Sequence, residues 1–311
     1  MSNIALIFPG QGSQVVGMGK DLYENSDIAK DLFDKIDGIL GKKLSTLCFE
    51  GPEEELKQTI NTQPAIVAVS IIAYETLKAK YDINFKYTAG HSLGEYSALY
   101  ASGVLDLEST INLVKRRSEC MDAAPSGAMT AIVGLEQTKL EDIISEVSKE
   151  GIVAIANYNT PEQLVITGDP EMVTKAGEMA KEAGAKRVIP LPVSGAFHSP
   201  LMQQPADEFA SSISLYNFNN ASVPVVTNID ALSTTEGFDQ KLVKQIYSSV
   251  MWTQSVELMK QNGVDTFIEV GPGKVLSGMV KKIDRKLNVL NVADMASLEA
   301  TLNNLSSALS V

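Results

Sequence analysis

The 311 residues are 44% apolar, enough to fill a sizeable core, and the formal net charge is −12. An acidic chain disfavours nonspecific binding to nucleic acid, and no apolar run reaches the roughly 18 residues of a membrane span. The two cysteines, Cys48 and Cys120, suggest a reducing compartment, and the chain shows no secretory leader. We therefore expect a cytoplasmic protein without disulfides, bound neither to nucleic acid nor to a membrane.

The first part of the chain alternates between predicted strands and helices. A strand is predicted over IALIF, residues 4–8, and the glycine-rich turn PGQGSQ follows it. The apolar stretch over residues 63–81 is longer than a strand, which favours a buried helix. A short strand over residues 86–89 then leads into a glycine–serine turn, and helices are predicted over residues 94–102 and 107–123.

The middle of the chain, residues 126–196, has a different order of elements. Its pattern predicts strand, helix, two strands, helix and strand, the split βαβ order of ferredoxin-like domains. Alternation of strands and helices resumes afterwards. We therefore expect an α/β fold: a doubly wound, mostly parallel large domain, residues 1–125 and 197–311, with a ferredoxin-like (βαββαβ) domain inserted over residues 126–196.

The glycine–serine turn, residues 90–94, has the pattern G-x-S-x-G around Ser92. Strand, serine turn and helix together form the setting of a nucleophile elbow, which makes the large domain α/β-hydrolase-like. An ordinary turn of small residues is the alternative. The setting favours Ser92 as a nucleophile.

A serine nucleophile needs a base, and the chain has only two histidines, His91 and His198. His91 is the neighbour of Ser92 on a sharp turn, so we expect it to pack beneath that turn. His198 enters a loop after a predicted strand, a common place for catalytic groups. A capping or surface histidine is the alternative, but the presence of Ser92 favours His198 as the base.

The glycine-rich turn PGQGSQ invites a nucleotide-binding interpretation. However, no Gly-Lys-Ser/Thr follows it, and Val15 stands where the dinucleotide fingerprint has its third glycine. Nucleotide binding is therefore not favoured. The turn ends a strand on the same sheet edge as the serine turn, so its N–H groups are candidates for binding an oxyanion.

Two adjacent arginines in a predicted helix differ in their helical neighbours, which lie three and four residues away. Arg116 has Glu119 and Asn112 nearby. The neighbours of Arg117 are all apolar: Leu113, Val114, Cys120 and Met121. A buried guanidinium without a partner costs roughly 3–5 kcal/mol. Arg117 therefore needs either an internal carboxylate or the carboxylate of a ligand, and the pattern alone leaves both open.

Five features occur in one order: FPGQGSQ, GHSLGEYSAL, the arginine of the next helix, SGAFHS and EVGPGKVLSG. This order resembles the malonyl-CoA:acyl carrier protein transacylases of fatty acid synthesis over nearly the whole chain. The resemblance implies transfer of a malonyl group from malonyl-CoA to the phosphopantetheine thiol of acyl carrier protein. Ser92 would carry the malonyl ester and His198 would be the base. Coenzyme A is the product, and no further cofactor or metal is implied.

The resemblance also implies supporting groups around Ser92 and His198, which would form a Ser–His dyad. The backbone N–H groups of Gln11 and Leu93 are expected to form the oxyanion hole. The backbone carbonyl of Met251, rather than a carboxylate, is expected to accept the proton on Nδ1 of His198.

Two further residues are implied to select the acyl group. Arg117 is expected to grip the malonyl carboxylate through two hydrogen bonds, so that acetyl leaves it unpaired. Phe197 is expected to meet any larger 2-substituent.

Acyl carrier protein is expected to be the macromolecular partner of a monomeric enzyme, docked on a local basic patch. The candidate residues for that patch are Lys186, Arg187, Lys281, Lys282 and Arg285. A serine esterase or thioesterase, an acyltransferase of a polyketide pathway, and a catalytically silent binding protein are the alternatives.

Overall fold

The computed structural model describes residues 3–193 and 195–308, which form two β-sheets with helices packed on them. The strands in these residues are β1 (Ile4–Phe8), β2 (Tyr87–Gly90), β3 (Ala128–Val133), β4 (Val153–Thr160), β5 (Gln163–Gly168), β6 (Arg187–Pro190), β7 (Val225–Val226), β8 (Ser233–Thr234), β9 (Thr266–Val270) and β10 (Asn288–Val292). The ends of the expected large domain, residues 1 and 311, and Ser194 of the SGAFHS motif lie outside the described residues.

The helices cover most of the remaining chain. In the described residues they are α1 (Lys20–Asn25), α2 (Asp27–Leu40), α3 (Leu44–Glu50), α4 (Glu53–Leu56), α5 (Thr59–Lys80), α6 (Gly94–Ala101), α7 (Leu107–Asp122), α8 (Gln137–Val147), α9 (Pro170–Glu182), α10 (Gln203–Ile213), α11 (Phe238–Gln245), α12 (Trp252–Gln261), α13 (Val275–Ile283) and α14 (Met295–Ala308), with a 3₁₀ helix at Pro200–Met202. None of the helices in this described part combines the length and the apolarity that a bilayer crossing needs.

The larger sheet has the strand order β10-β9-β1-β2-β7-β8, and every pair in it is parallel except β7 with β8. Strand β1 lies inside the sheet, and four of its residues, from Ala5 to Phe8, are fully buried. A continuous apolar run is what a parallel strand covered on both faces requires. The chain therefore has the expected α/β fold, and the carboxyl ends of β1 and β2 meet at one edge.

Helix α5 passes through the core, but it begins at Thr59, earlier than the apolar stretch suggested. Asn61, Thr62 and Gln63 belong to the helix and are buried. Thr62 Oγ1 donates to the carbonyl of Leu56. The first turns of α5 therefore bury polar side chains, and they bring the amide of Gln63 into the interior.

The smaller sheet is antiparallel, with the order β4-β5-β3-β6, and the chain runs through it as β3-α8-β4-β5-α9-β6. One face of its strands shares a separate apolar core with α8 and α9, including Ile132 and Ile166. Alternate residues such as Met129, Ala131 and Val165 join the core of the larger sheet instead. The predicted order of elements over this region is present.

Strand β4, at the edge of the smaller sheet, is bonded to the segment between α11 and α12. Tyr158 N donates to Val250 O at 2.9 Å, and Val250 N donates to Ala156 O at 2.8 Å. Ser249 Oγ donates to the carbonyl of Ile155 at 2.6 Å. The smaller sheet therefore fixes a stretch of backbone that borders the candidate site.

Candidate active site

Ser92 lies in the turn between β2 and α6, with a backbone φ of 52°. A residue other than glycine in this left-handed region carries a strain of roughly 1–3 kcal/mol, which the surrounding structure must hold. A Cβ at Gly90 would overlap the backbone of Gly94, and a Cβ at Gly94 would overlap the backbone of Phe8. The two glycines of the motif are therefore needed for close backbone approach, and the predicted strand–turn–helix setting is present.

The hydroxyl of Ser92 faces the predicted base. Ser92 Oγ lies 2.9 Å from His198 Nε2. On the other side of the ring, His198 Nδ1 lies 2.8 Å from the carbonyl of Gln245 and 3.1 Å from that of Ser248. Carbonyls only accept, so we assign the ring proton to Nδ1, which leaves Nε2 free to accept the serine proton.

The expected role of Met251 was wrong. Its carbonyl accepts from Ser255 N at 2.9 Å and from Ser255 Oγ at 2.8 Å. Met251 is the N-cap of α12, so its carbonyl belongs to the first hydrogen-bonded turn of that helix. The carbonyls of Gln245, the last residue of α11, and of Ser248, in the connection that follows, accept from the histidine in its place.

His198 is 4% exposed, and burial, followed by the nearby Arg117 cation, lowers its pKa to about 3. The imidazole is therefore neutral at physiological pH. A neutral ring with Nε2 against the serine hydroxyl is ready to take a proton.

Arg117 is 1% exposed, so it is buried as its apolar neighbours on α7 suggested. Its guanidinium reaches the hydroxyl of Ser92. Its Nη1 donates to Gln63 Oε1 at 2.6 Å. Its Nη2 donates to Gln245 Oε1 at 3.0 Å and to Ser92 Oγ at 3.1 Å. Burial lowers the pKa of Arg117, but a guanidinium stays charged in proteins. Among the described residues no ion pair includes it, and its buried Nε has no hydrogen-bond partner.

Four polar residues of the site were not found from the sequence. They are Gln63, Glu95, Asn228 and Gln245, and all are buried. Asn228 supports the turn, because its Oδ1 accepts from Ser92 N at 2.7 Å and its Nδ2 donates to the carbonyl of Gly90 at 2.6 Å. Gln63, Asn228 and Gln245 lie far from Ser92 in the chain and belong to no motif. Glu95 lies in the GHSLGEYSAL motif, but the motif does not indicate its role.

The predicted oxyanion donors lie beside the elbow. A Cβ at Gly10 would overlap the carbonyl of His91, so the turn that carries Gln11 packs directly on the serine turn. Leu93 precedes the first residue of α6, at the helix end where N–H groups point outward. The assignment of the Gln11 and Leu93 N–H groups to an oxyanion stays a prediction.

Phe197 and His91 are the chain neighbours of His198 and Ser92. Phe197 is buried next to His198 and packs so closely on Gly195 that a Cβ there would meet its ring. His91 Nε2 pairs with Asn159 Oδ1 at 2.8 Å rather than with Ser92. The selective role of Phe197 stays a prediction.

We expect Gly90→Ala to lower the free energy of unfolding by about 3 kcal/mol or more, because its Cβ has no space. Gly38→Ala is the matched control. Gly38 lies in α2 with nothing within 4 Å of its Cβ position, so this change should stabilise the protein by about 0.5–1 kcal/mol. Urea unfolding of both variants measures the difference. Similar stabilities would contradict the close-approach argument.

We expect His198→Asn to flatten the loss of stability in acid. The folded pKa of His198 lies below its unfolded value, so the unfolded chain binds a proton first and stability falls as pH drops below about 6.5. Between about pH 7 and 5.5 the wild type should lose about 1 kcal/mol more than the variant. Asparagine also tolerates the φ of 61° at this position. Parallel acid slopes in denaturant titrations would contradict the lowered pKa.

Comparison with known proteins agrees with this geometry. Residues 5–304 match the family model described as an acyl transferase domain. The malonyl CoA-acyl carrier protein transacylase of Bacillus subtilis (strain 168) is 47% identical over 311 residues, covering 98% of each chain. An acyl carrier protein S-malonyltransferase from Vibrio cholerae is 42% identical in its crystal structure, with a TM-score of 0.94 over 96% of this chain and 100% of that one. A malonyl-transacylase in complex with a type II PKS acyl-carrier protein is 40% identical, with a TM-score of 0.94 over 97% of this chain and 100% of that one. The chain therefore belongs to the acyl transferase family of the malonyl-CoA:acyl carrier protein transacylases.

Proposed function

We propose that the protein transfers a malonyl group from malonyl-CoA to the phosphopantetheine thiol of acyl carrier protein, for fatty acid synthesis. The observation that carries this proposal is the position of Ser92 Oγ. It lies 2.9 Å from the base His198 and 3.1 Å from the cation Arg117. A nucleophile between a base and a buried cation suits an acyl group that carries its own carboxylate.

In the first half-reaction, His198 Nε2 takes the hydroxyl proton as Ser92 Oγ attacks the thioester carbonyl. The oxyanion is stabilised by the N–H groups of Gln11 and Leu93. The carbon–sulfur bond then breaks, and the coenzyme A sulfur leaves with the proton from the imidazolium. In the second half-reaction the phosphopantetheine thiol gives its proton to His198 and its sulfur attacks the malonyl-serine ester. The bond between the acyl carbon and Ser92 Oγ then breaks, the serine oxygen takes the proton back from the imidazolium, and malonyl remains on the carrier protein as a thioester.

Arg117 supplies the preference for malonyl. A carboxylate two carbons from the ester carbonyl can accept two parallel hydrogen bonds from the guanidinium. Acetyl has no such group, so it leaves the buried guanidinium without that partner. The unpartnered Nε and the close Nη2–Oγ distance both support this assignment.

We also propose a division of the fold into two domains. The strand order of the smaller sheet supports a ferredoxin-like domain over residues 126–196, inserted in an α/β-hydrolase-like domain over residues 1–125 and 197–311. A monomeric state and a cytoplasmic location stay predictions.

The basic residues expected to dock the carrier protein divide into two groups. Helix α13 follows β9, so its last turn points away from the edge that holds Ser92. That end of the helix carries Lys281 and Lys282, and Arg285 follows just after it. Lys281 Nζ is also engaged, since it donates to the carbonyl of Leu287 at 2.6 Å. Lys186 and Arg187 are exposed where β6 begins, and they stay candidates for the docking surface.

The test of the proposed function is mass spectrometry of the acyl-enzyme. Incubation with malonyl-CoA should add one malonyl group to Ser92, and addition of holo acyl carrier protein should transfer it. The Ser92→Ala variant should show neither step. Rapid hydrolysis without transfer would instead identify a thioesterase, and transacylation by the alanine variant would exclude the catalytic assignment.

We expect Arg117→Ala to lower kcat/KM for malonyl-CoA by roughly 10–100-fold while acetyl-CoA is affected much less, because only malonyl uses the guanidinium. Arg116→Ala is the matched control. Arg116 lies on the same helix, 40% exposed, and pairs with Glu119 at 3.5 Å. The Arg116→Ala variant should leave the ratio of kcat/KM for malonyl-CoA to kcat/KM for acetyl-CoA unchanged. An unchanged ratio in the Arg117 variant would assign selectivity to another group.

A further inference from the structure

Glu95 is a buried carboxylate of the site that the proposed reaction does not use. It lies in the first turn of α6, three residues after Ser92, and is 1% exposed. Its Oε2 accepts from Gln245 Nε2 at 2.8 Å and from the backbone N of Asn228 at 3.1 Å. No ion pair includes Glu95 in the described parts of the chain. A buried carboxylate that is bound mainly to an amide needs an explanation.

The contacts of Glu95 determine which way the amide of Gln245 faces. An ionised carboxylate only accepts, so the NH₂ group of Gln245 must face it. The second hydrogen of that NH₂ group goes to the carbonyl of Ser92, at 3.0 Å. The amide oxygen is therefore turned to the other side, where it accepts from Arg117 Nη2 at 3.0 Å.

We propose that Glu95 is a positioning residue for the acyl preference. Its carboxylate fixes the Gln245 amide with the oxygen toward Arg117, and this holds the guanidinium beside Ser92, where the substrate carboxylate binds. The inference rests on the proposed function, because it assumes that Arg117 binds that carboxylate.

Two acceptors hold the NH₂ group of Gln245, the carboxylate of Glu95 and the carbonyl of Ser92, and the Glu95→Gln change weakens the first. A glutamine at position 95 can donate as well as accept, so it no longer opposes the turned orientation of the Gln245 amide. The turned amide would present its NH₂ group to the guanidinium, and two donors facing each other repel. Glu95 also offsets the buried positive charge through the amide that lies between them. Burial raises the pKa of Glu95 to about 7, so an assay at about pH 8 keeps most of it ionised.

Glu95→Gln is the test, with malonyl-CoA and acetyl-CoA compared at about pH 8. We expect kcat/KM for malonyl-CoA to fall about 10–100-fold and that for acetyl-CoA to fall clearly less, so that the preference narrows. In the Arg117→Ala background, the same change should narrow the preference no further. Equal losses for both substrates, or no loss for either, would overturn the proposal.

Glu269→Gln is the matched control for the loss of a buried carboxylate. Glu269 is fully buried and accepts from the backbone N–H groups of Leu276 at 3.0 Å and Ser277 at 2.7 Å, at the start of α13. This variant should lower the thermal midpoint without changing the malonyl/acetyl ratio. If it narrows the ratio as much as Glu95→Gln does, the effect is general loosening and the proposal fails.

A second variant covers the case in which Glu95→Gln does not fold. Gln245→Met keeps the side-chain volume and the main-chain carbonyl that faces His198, but it lacks the amide. It should narrow the preference in the same way, and an unchanged ratio would overturn the proposal. A wild-type protein that shows no malonyl preference would instead refute the proposed function, so the two failures are distinguishable.

Discussion

The positive charge of Arg117 lies inside the protein, and much of the site is arranged to hold it without cancelling it. Its hydrogen bonds go to the amide oxygens of Gln63 and Gln245 and to the hydroxyl of Ser92. These acceptors are neutral, so they position the guanidinium while its charge stays available. A carboxylate in direct contact would satisfy the charge permanently and compete with a substrate carboxylate. The polar residues of α5, α7 and α11 therefore meet at one point because a single buried cation requires several acceptors.

The second constraint is the backbone around the dyad. Ser92 and His198 both have positive φ values, 52° and 61°, which only a well-packed surrounding can hold. Three carbonyls at the end of α11 and in the connection after it face His198, since Ile246 accepts from its backbone N–H at 3.1 Å while Gln245 and Ser248 face Nδ1. Strand β4 is bonded to the end of the same connection at Val250. The smaller sheet thus contributes to the placement of the base although it carries no member of the dyad.

The sequence was sufficient for the groups whose role follows from local pattern. Ser92 stands in a short motif between a strand and a helix, His198 is one of two histidines, and the spacing of α7 separated Arg117 from its neighbour. The predicted strands and helices came from apolar runs and spacing, and the mostly parallel sheet came from their alternation, whereas the helices α1 to α4 were not predicted. These features share one property, which is that each depends on residues close together in the chain.

The failures came from contacts between distant segments. Met251 was predicted to supply the carbonyl that orients His198, and it lies only a few residues from the carbonyls that do so. Which carbonyl is free to accept from the histidine depends on where the hydrogen bonds of α12 begin. Gln63 and Gln245 are buried amides in helices, and no spacing rule shows that both reach a residue on α7. Glu95 shows this dependence on distant contacts most clearly. It lies within the GHSLGEYSAL motif, but its hydrogen-bond partners come from the last third of the chain.

The charges of the site also connect acyl selectivity with the chemical step. If His198 takes the proton of Ser92 as proposed, it becomes an imidazolium, which burial and then the nearby Arg117 cation both oppose, since both lower the pKa of His198. If malonyl binds as proposed, its carboxylate offsets the arginine charge and lowers the cost of forming the imidazolium. Acetyl brings no such charge, so the base stays weak when acetyl is bound. Discrimination would then act on the transition state as well as on binding, and an interaction of that kind raises kcat rather than only lowering KM.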